Sequence, residues 1–190
     1  YISLSNGNKI VGFNTLPTKT DARPDFAVGA PDINTNTLAK NYFITNGVPA
    51  TDGKSLFGVS DFDRKLYVWK DLPDESGADP DIVYPYGGWD SGLYGSTFAM
   101  VNQQELYIWK TLPTDGQEPD VSARGGIGTV KFQNLQGVAL DEKYFYLADS
   151  QAGKVYVFEN VPGQNSNPKF ILSINDPKRL SSDGKYLVVA

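Results

Sequence analysis

Lys65-Leu-Tyr-Val-Trp-Lys-Asp-Leu-Pro73 is one of four copies of a single pattern in this chain. The others are Lys9-Ile-Val-Gly-Phe-Asn-Thr-Leu-Pro17, Glu105-Leu-Tyr-Ile-Trp-Lys-Thr-Leu-Pro113 and Lys154-Val-Tyr-Val-Phe-Glu-Asn-Val-Pro162. Each opens with a run rich in β-branched and aromatic residues, the composition of a strand. Alternation puts Leu66 and Val68 on one face and Tyr67 and Trp69 on the other, so both faces are apolar and both are buried. A short strand of this kind, returning at regular phase, needs a neighbouring sheet on either side, which radially stacked sheets supply. The pattern therefore predicts an all-β protein, a β-propeller of four-stranded antiparallel blades.

Reading outward from the repeated strand, here called C, assigns the other three. After each Leu-Pro or Val-Pro comes a polar loop and a second proline, at Pro24, Pro80, Pro119 and Pro168, followed by a short apolar run. Proline cannot donate to a ladder, which makes this the outer edge strand D. Strand B lies before a C strand at 55–60, 96–101 and 143–148, and recurs at 185–190. Asp52-Gly53, Asp141-Glu142 and Asp183-Gly184 precede three of these as hairpin turns, and place an inner strand A near 47–51, 136–140 and 178–182. Lys143 and Lys185 lie 42 residues apart, within the roughly 40–50 of a propeller blade. Blade-like units follow at 1–32, 47–85, 88–124, 135–174 and, in part, 177–190, about four blade equivalents in one propeller domain. Tyr1-Ile-Ser-Leu4 and Tyr186-Leu-Val-Val189 share the B phase, so the chain reads as an arc of a longer ring whose exposed blade faces favour self-association.

Composition narrows the function. With 17 Lys and Arg against 22 Asp and Glu and no long basic run, the chain lacks the electrostatic footprint of a nucleic-acid binder. No apolar run approaches the roughly 18–20 residues of a membrane-spanning helix. Zero Cys removes disulfides, thiolate nucleophiles and Cys-based metal sites. Zero His removes the usual general base near neutral pH and every His-containing triad.

The joined pattern Asn14-Thr-Leu-Pro-Thr18, Arg23-Pro-Asp-Phe-Ala-Val-Gly29, Ala30-Pro-Asp32 resembles the repeat of NHL-type β-propellers. Later copies depart from it: nothing matches Gly29 and Pro31-Asp32 after Tyr84, and Lys169 stands in place of the aspartate. Gly137-Val-Ala-Leu-Asp-Glu-Lys-Tyr-Phe-Tyr-Leu-Ala-Asp149 is similar to the inner segment of NHL and gluconolactonase-like propellers, within the wider TolB-like group. The resemblance implies a six-bladed ring. It implies no one activity, because these families include scaffolds, receptors and enzymes.

In such a meander the B–C and D–A connections share one face. The D–A connections at 30–47, 85–96 and 124–137 are long and unlike one another, as binding loops on a rigid frame tend to be. Tyr86, Trp89, Asp90 and Tyr94 sit together in the middle one, where aromatic faces beside a carboxylate suit a sugar ring or a peptide side chain. The alternative is that these rings fill the gap between blades. Arg124-Gly-Gly-Ile-Gly128 offers a cation and backbone amides to an anion, although it lacks the helix and lysine of a phosphate loop. Asp61 and Asp149 end their B strands, with Asn46 and Asn134 near by, an oxygen set that suits Ca2+. The alternative for the aspartates is turn initiation. Together these readings favour a non-enzymatic module that binds a protein or carbohydrate ligand in an extracellular or periplasmic setting. The competing reading is a metal-dependent hydrolase or lactonase of the gluconolactonase-like kind.

Overall fold

A computed structural model describes residues 1–4, 7–35 and 47–190. Its chain forms two compact units, Tyr1–Gly88 and Trp89–Ala190. In the first, β1 (Ile2–Leu4), β2 (Lys9–Gly12) and β3 (Phe26–Val28) make a three-stranded antiparallel sheet corresponding to B, C and D. Beside it, β4 (Pro49–Thr51), β5 (Leu56–Ser60), β6 (Lys65–Trp69) and β7 (Ile82–Tyr84) form a complete A-to-D meander.

The second unit holds two more complete meanders. One is β8 (Asp90–Tyr94), β9 (Thr97–Asn102), β10 (Glu105–Trp109) and β11 (Val121–Arg124). After a small hairpin of β12 (Gly126–Ile127) and β13 (Val130–Lys131) comes the other, β14 (Leu135–Leu140), β15 (Tyr144–Asp149), β16 (Lys154–Glu159) and β17 (Phe170–Ser173). Finally β18 (Leu180–Ser182) and β19 (Leu187–Val189) pair as an A–B hairpin. The fold is that of propeller blades. Proline stands two residues before each D strand, outside the ladder, so its missing N–H costs no strand pairing.

The double-faced reading of the repeated strand is visible in how the middle sheet packs. From β15 and β16, Phe145, Leu147, Tyr156 and Phe158 point into a core shared with Leu106, Ile108 and Val121 of the preceding sheet. Their neighbours Tyr146, Ala148, Val155 and Val157 point the other way, against Leu180, Leu187 and Val189 of the hairpin that follows. In the first unit Tyr67 and Trp69 meet Ile10 and Val28 across the gap between its two sheets. Where inner strands approach closely there is no room for a side chain: a Cβ on Gly137 would strike the Lys178 carbonyl.

Recurrent polar contacts explain the recurrent letters. Asp52, Asp141 and Asp183 each turn one carboxylate oxygen onto two backbone N–H groups of their own turn, at 2.6–2.9 Å for Asp52, 2.9 Å for Asp141 and 2.7–2.9 Å for Asp183. Asp25, Asp81 and Asp120, after the second proline, accept from the N–H of Asn14, Lys70 and Lys110 at 2.7–2.8 Å and close the C–D loop. In the fourth copy Lys169 meets Glu159 at 2.6 Å instead. Trp69 and Trp109 donate their indole N–H to the Ala78 and Gln117 carbonyls, pinning the same loop from below.

The C–D loop also straps the outer strand of the sheet before it. Gly77 N–H donates to the Ala27 carbonyl at 2.9 Å, and Ser76 Oγ accepts from Ala27 N–H at 3.0 Å. In the β16–β17 loop, Gln164 Nε2 donates to the Ser122 carbonyl of β11 at 2.7 Å.

Candidate functional site

Two of the connections expected as loops contain strands. Asp90 to Tyr94 form β8, the inner strand of its sheet, so the segment 85–96 is split between a short connection and a ladder. The Asp-Gly turn signal is absent there, because Gly95 and Ser96 make the hairpin, with Gly95 at φ +58°. The connection 124–137 carries the hairpin β12–β13.

Within the second unit this placement separates Asp90 from Tyr94. Tyr86 belongs to the first unit and stacks on Tyr84, with ring centroids 6.5 Å apart. Asp90 begins β8, directly after Trp89, and Tyr94 ends it, about 14 Å away at roughly 3.4 Å per residue. Asp90 is 3% exposed. Its carboxylate accepts from Val138 N–H of β14 at 3.0 Å and pairs with Arg179 at 3.2 Å. Arg179 also donates to the Trp89 carbonyl at 2.5 Å, so three successive inner strands are tied at one end. Burial pushes the Asp90 carboxyl up to about 6 against the pull of Arg179 and of the Val138 and Ser91 amides. The arginine side chain is 42% exposed, so water screens its charge.

Asp149 is wholly buried. Its carboxylate accepts three backbone N–H bonds, from Gln133 at 2.8 Å, Asn134 at 2.9 Å and Ala152 at 3.0 Å. Asn134 lies beside it, with Nδ2 donating to Ser150 Oγ at 2.9 Å. In strand register Ser60, not Asp61, is the counterpart of Asp149, since Ser60 faces Lys65 as Asp149 faces Lys154. Asp61 starts the next turn, half-buried, its carboxyl raised by burial and drawn back by Arg64. Asn46 lies outside the described residues. Among the described residues no group of three or more His, Cys, Asp or Glu side chains is placed to hold a metal ion.

Arg124 borders an open cavity of about 280 Å3 formed by the connection 124–131. Gly125, Gly126 and Gly128 give this wall exposed backbone, and Lys131 and Gln164 complete it. Arg124 Nε pairs with Glu105 at 3.3 Å, and its guanidinium donates to the Tyr107 hydroxyl at 3.4 Å, which fixes the cation at the rim. The hairpin is held from the next sheet: Gly128 N–H donates to the Gln164 carbonyl at 3.0 Å and Thr129 N–H to Asn167 Oδ1 at 2.9 Å. Gly125 and Gly128 have φ of +72° and +53°, the left-handed conformation that the sharp reversal requires. Lys131 and Gln164 were not legible as site residues; Gln164 comes from a Leu-Pro-type C–D loop that repeat logic assigns to the opposite face. Tyr94 belongs to a second cavity, of about 200 Å3, at the A–B turn end of β8.

The sequence matches no known protein family and no curated protein. Solved structures share the fold. A putative 6-phosphogluconolactonase from Bacteroides uniformis superposes with a TM-score of 0.56 at 16% identity, over 79% of this chain and 51% of that one. Glutaminyl cyclase from Myxococcus xanthus gives 0.51 at 11% identity, over 75% of this chain and 72% of that one. The computationally designed protein Ika8 gives 0.55 at 13% identity over 85% of this chain. This chain spans 45% of the length of Ika8 and about half that of the lactonase structure. At these identities the likeness is one of fold.

Proposed function

We propose that this chain is part of an NHL-type propeller, six-bladed in its intact ring, that acts outside the cytoplasm as a non-enzymatic binding module for a protein or carbohydrate. The cavity beside Arg124 takes an acidic group of that ligand. One observation carries the reading: two cations and a glycine-rich backbone line an open cavity on a hairpin that the neighbouring C–D loop holds in place. Binding residues on a rigidly supported connection meet the geometric need of recognition without ordering a loop at each encounter. A net charge of −5 disfavours nucleic acid as the partner. No helix among the described residues is long and apolar enough to cross a membrane. The same reading gives the blade faces near Tyr1–Phe13 and Leu180–Ala190, with Ile2, Leu4, Tyr186 and Val188 exposed, as the surfaces for self-association.

The test is retention on immobilised acidic glycans and acidic peptides, comparing the native chain with Lys131→Glu. Reversing this exposed cation should abolish retention while leaving the Arg124–Glu105 pair intact. Equal retention of both proteins would sink the acidic-ligand assignment.

A further inference from the structure

The cavity at the other end of β8 has a different chemistry. Tyr94 is 47% exposed and forms one wall, while Leu140 and Val161 supply an apolar floor. Around it stand Thr97, Glu142 and Asn160, whose side chains make no hydrogen bond among the described residues. They offer a hydroxyl, a carboxylate and an amide, that is, acceptors and neutral donors together.

The wall opposite Tyr94 is built rigidly. Asp141 spends both carboxylate oxygens on four donors: Lys143 N–H and Tyr144 N–H at 2.9 Å, the Tyr146 hydroxyl at 2.8 Å and Ser182 Oγ at 2.5 Å. Tyr144 is braced by Tyr146 and Phe170, at 6.0 and 6.4 Å between centroids. Asn160 holds a left-handed φ of +72°, and its N–H donates to the Lys143 carbonyl at 3.0 Å, which fixes its place at the rim.

We propose that this cavity binds one neutral pyranose ring of a glycan. An aromatic face packs on the C–H face of such a ring, and the uncommitted hydroxyl, amide and carboxylate meet its hydroxyl groups. A cationic side chain fits less well, because the lone pairs of Asp141 are already occupied and Glu142 alone remains to meet the charge. At about 200 Å3 the cavity has room for a single ring. The assignment is independent of the Arg124 cavity.

Amide NMR titrations of the full chain with methyl gluco-, galacto- and mannopyranoside, and separately with arginine amide, test it. At least one glycoside should give saturable shifts at residues 94–97 and 140–144, with a Kd on the order of millimolar for so small a ligand. Tyr94→Ala should abolish them, and Glu142→Gln should weaken binding about tenfold, the loss of one charge-assisted hydrogen bond. Tyr94→Phe retains the ring and the fold and should still bind, and Lys131→Glu should bind as the native protein does. The proposal is overturned if none of the glycosides saturates these amides, if Tyr94→Phe binds no glycoside, or if arginine amide saturates them and the glycosides do not.

Discussion

Replacing Asp90 by Asn removes one titrating group from a place where its charge is poorly solvated and leaves its shape almost unchanged. The carboxyl is pushed from 3.8 up to about 6 by burial, with Arg179 and the Val138 and Ser91 amides only partly offsetting it. A carboxyl raised in the folded state contributes stability that is fully present below its unfolded value. That contribution is lost as pH rises through the folded value. A displacement of about two pH units corresponds to about 3 kcal/mol between the two limits. Most of the change falls between about pH 4 and pH 7, where the native protein should lose about 2 kcal/mol relative to Asp90→Asn, whatever constant offset the substitution adds. Urea unfolding followed by tryptophan fluorescence at several pH values reads this as a widening gap in favour of the variant toward neutrality. A gap that stays flat, or that moves toward the native protein as pH rises, would refute the reasoning. It would mean that Arg179, despite its exposure, outweighs the burial of the carboxylate.

Asp149→Ala should cost about 3 kcal/mol, since it removes the wholly buried acceptor of three part-buried backbone N–H groups at about 1 kcal/mol each, and urea midpoints would show it. Adding millimolar calcium should leave the thermal midpoint unchanged, because three backbone donors already turn toward the Asp149 carboxylate; an upward shift would support the Ca2+ expectation there. Trp109→Ala should destabilise by about 3–5 kcal/mol through a cavity beside Phe98, and calorimetry or urea unfolding would detect it. Gly137→Ala should destabilise while altering no hydrogen-bonding group, because its methyl meets the Lys178 carbonyl.

The C strands were readable because both of their faces are apolar in every copy, and the A–B turns because an Asx turn needs a particular side chain at a fixed offset. Strand β8 was hidden for the converse reason: its hairpin uses Gly95-Ser96, and its residues include Asp90 and Ser91, which are polar yet buried by pairing across sheets. No local pattern announces that Asp90 will find Val138 and Arg179, which lie 48 and 89 residues away. The Arg124 cavity was half legible. Its glycine-rich wall stands out in the sequence, whereas Gln164 reaches it from a repeat element whose copies look alike and whose contact depends on the next sheet. Tyr94 was singled out for its ring, but the face it serves followed from the missed strand.

The strap between the β6–β7 loop and β3 sets a timetable for synthesis. The outer edge formed by β3 is completed only by Ser76 and Gly77, 49 and 50 residues after Ala27. At roughly 5–20 residues per second, that edge waits about 2–10 s on the ribosome with unpaired backbone groups. The second sheet thus closes the edge of the first while β7 forms an outer edge of its own. A pause in translation before residues 76 and 77 have emerged from the ribosome would hold that edge open longest, whereas a pause after they have emerged would not.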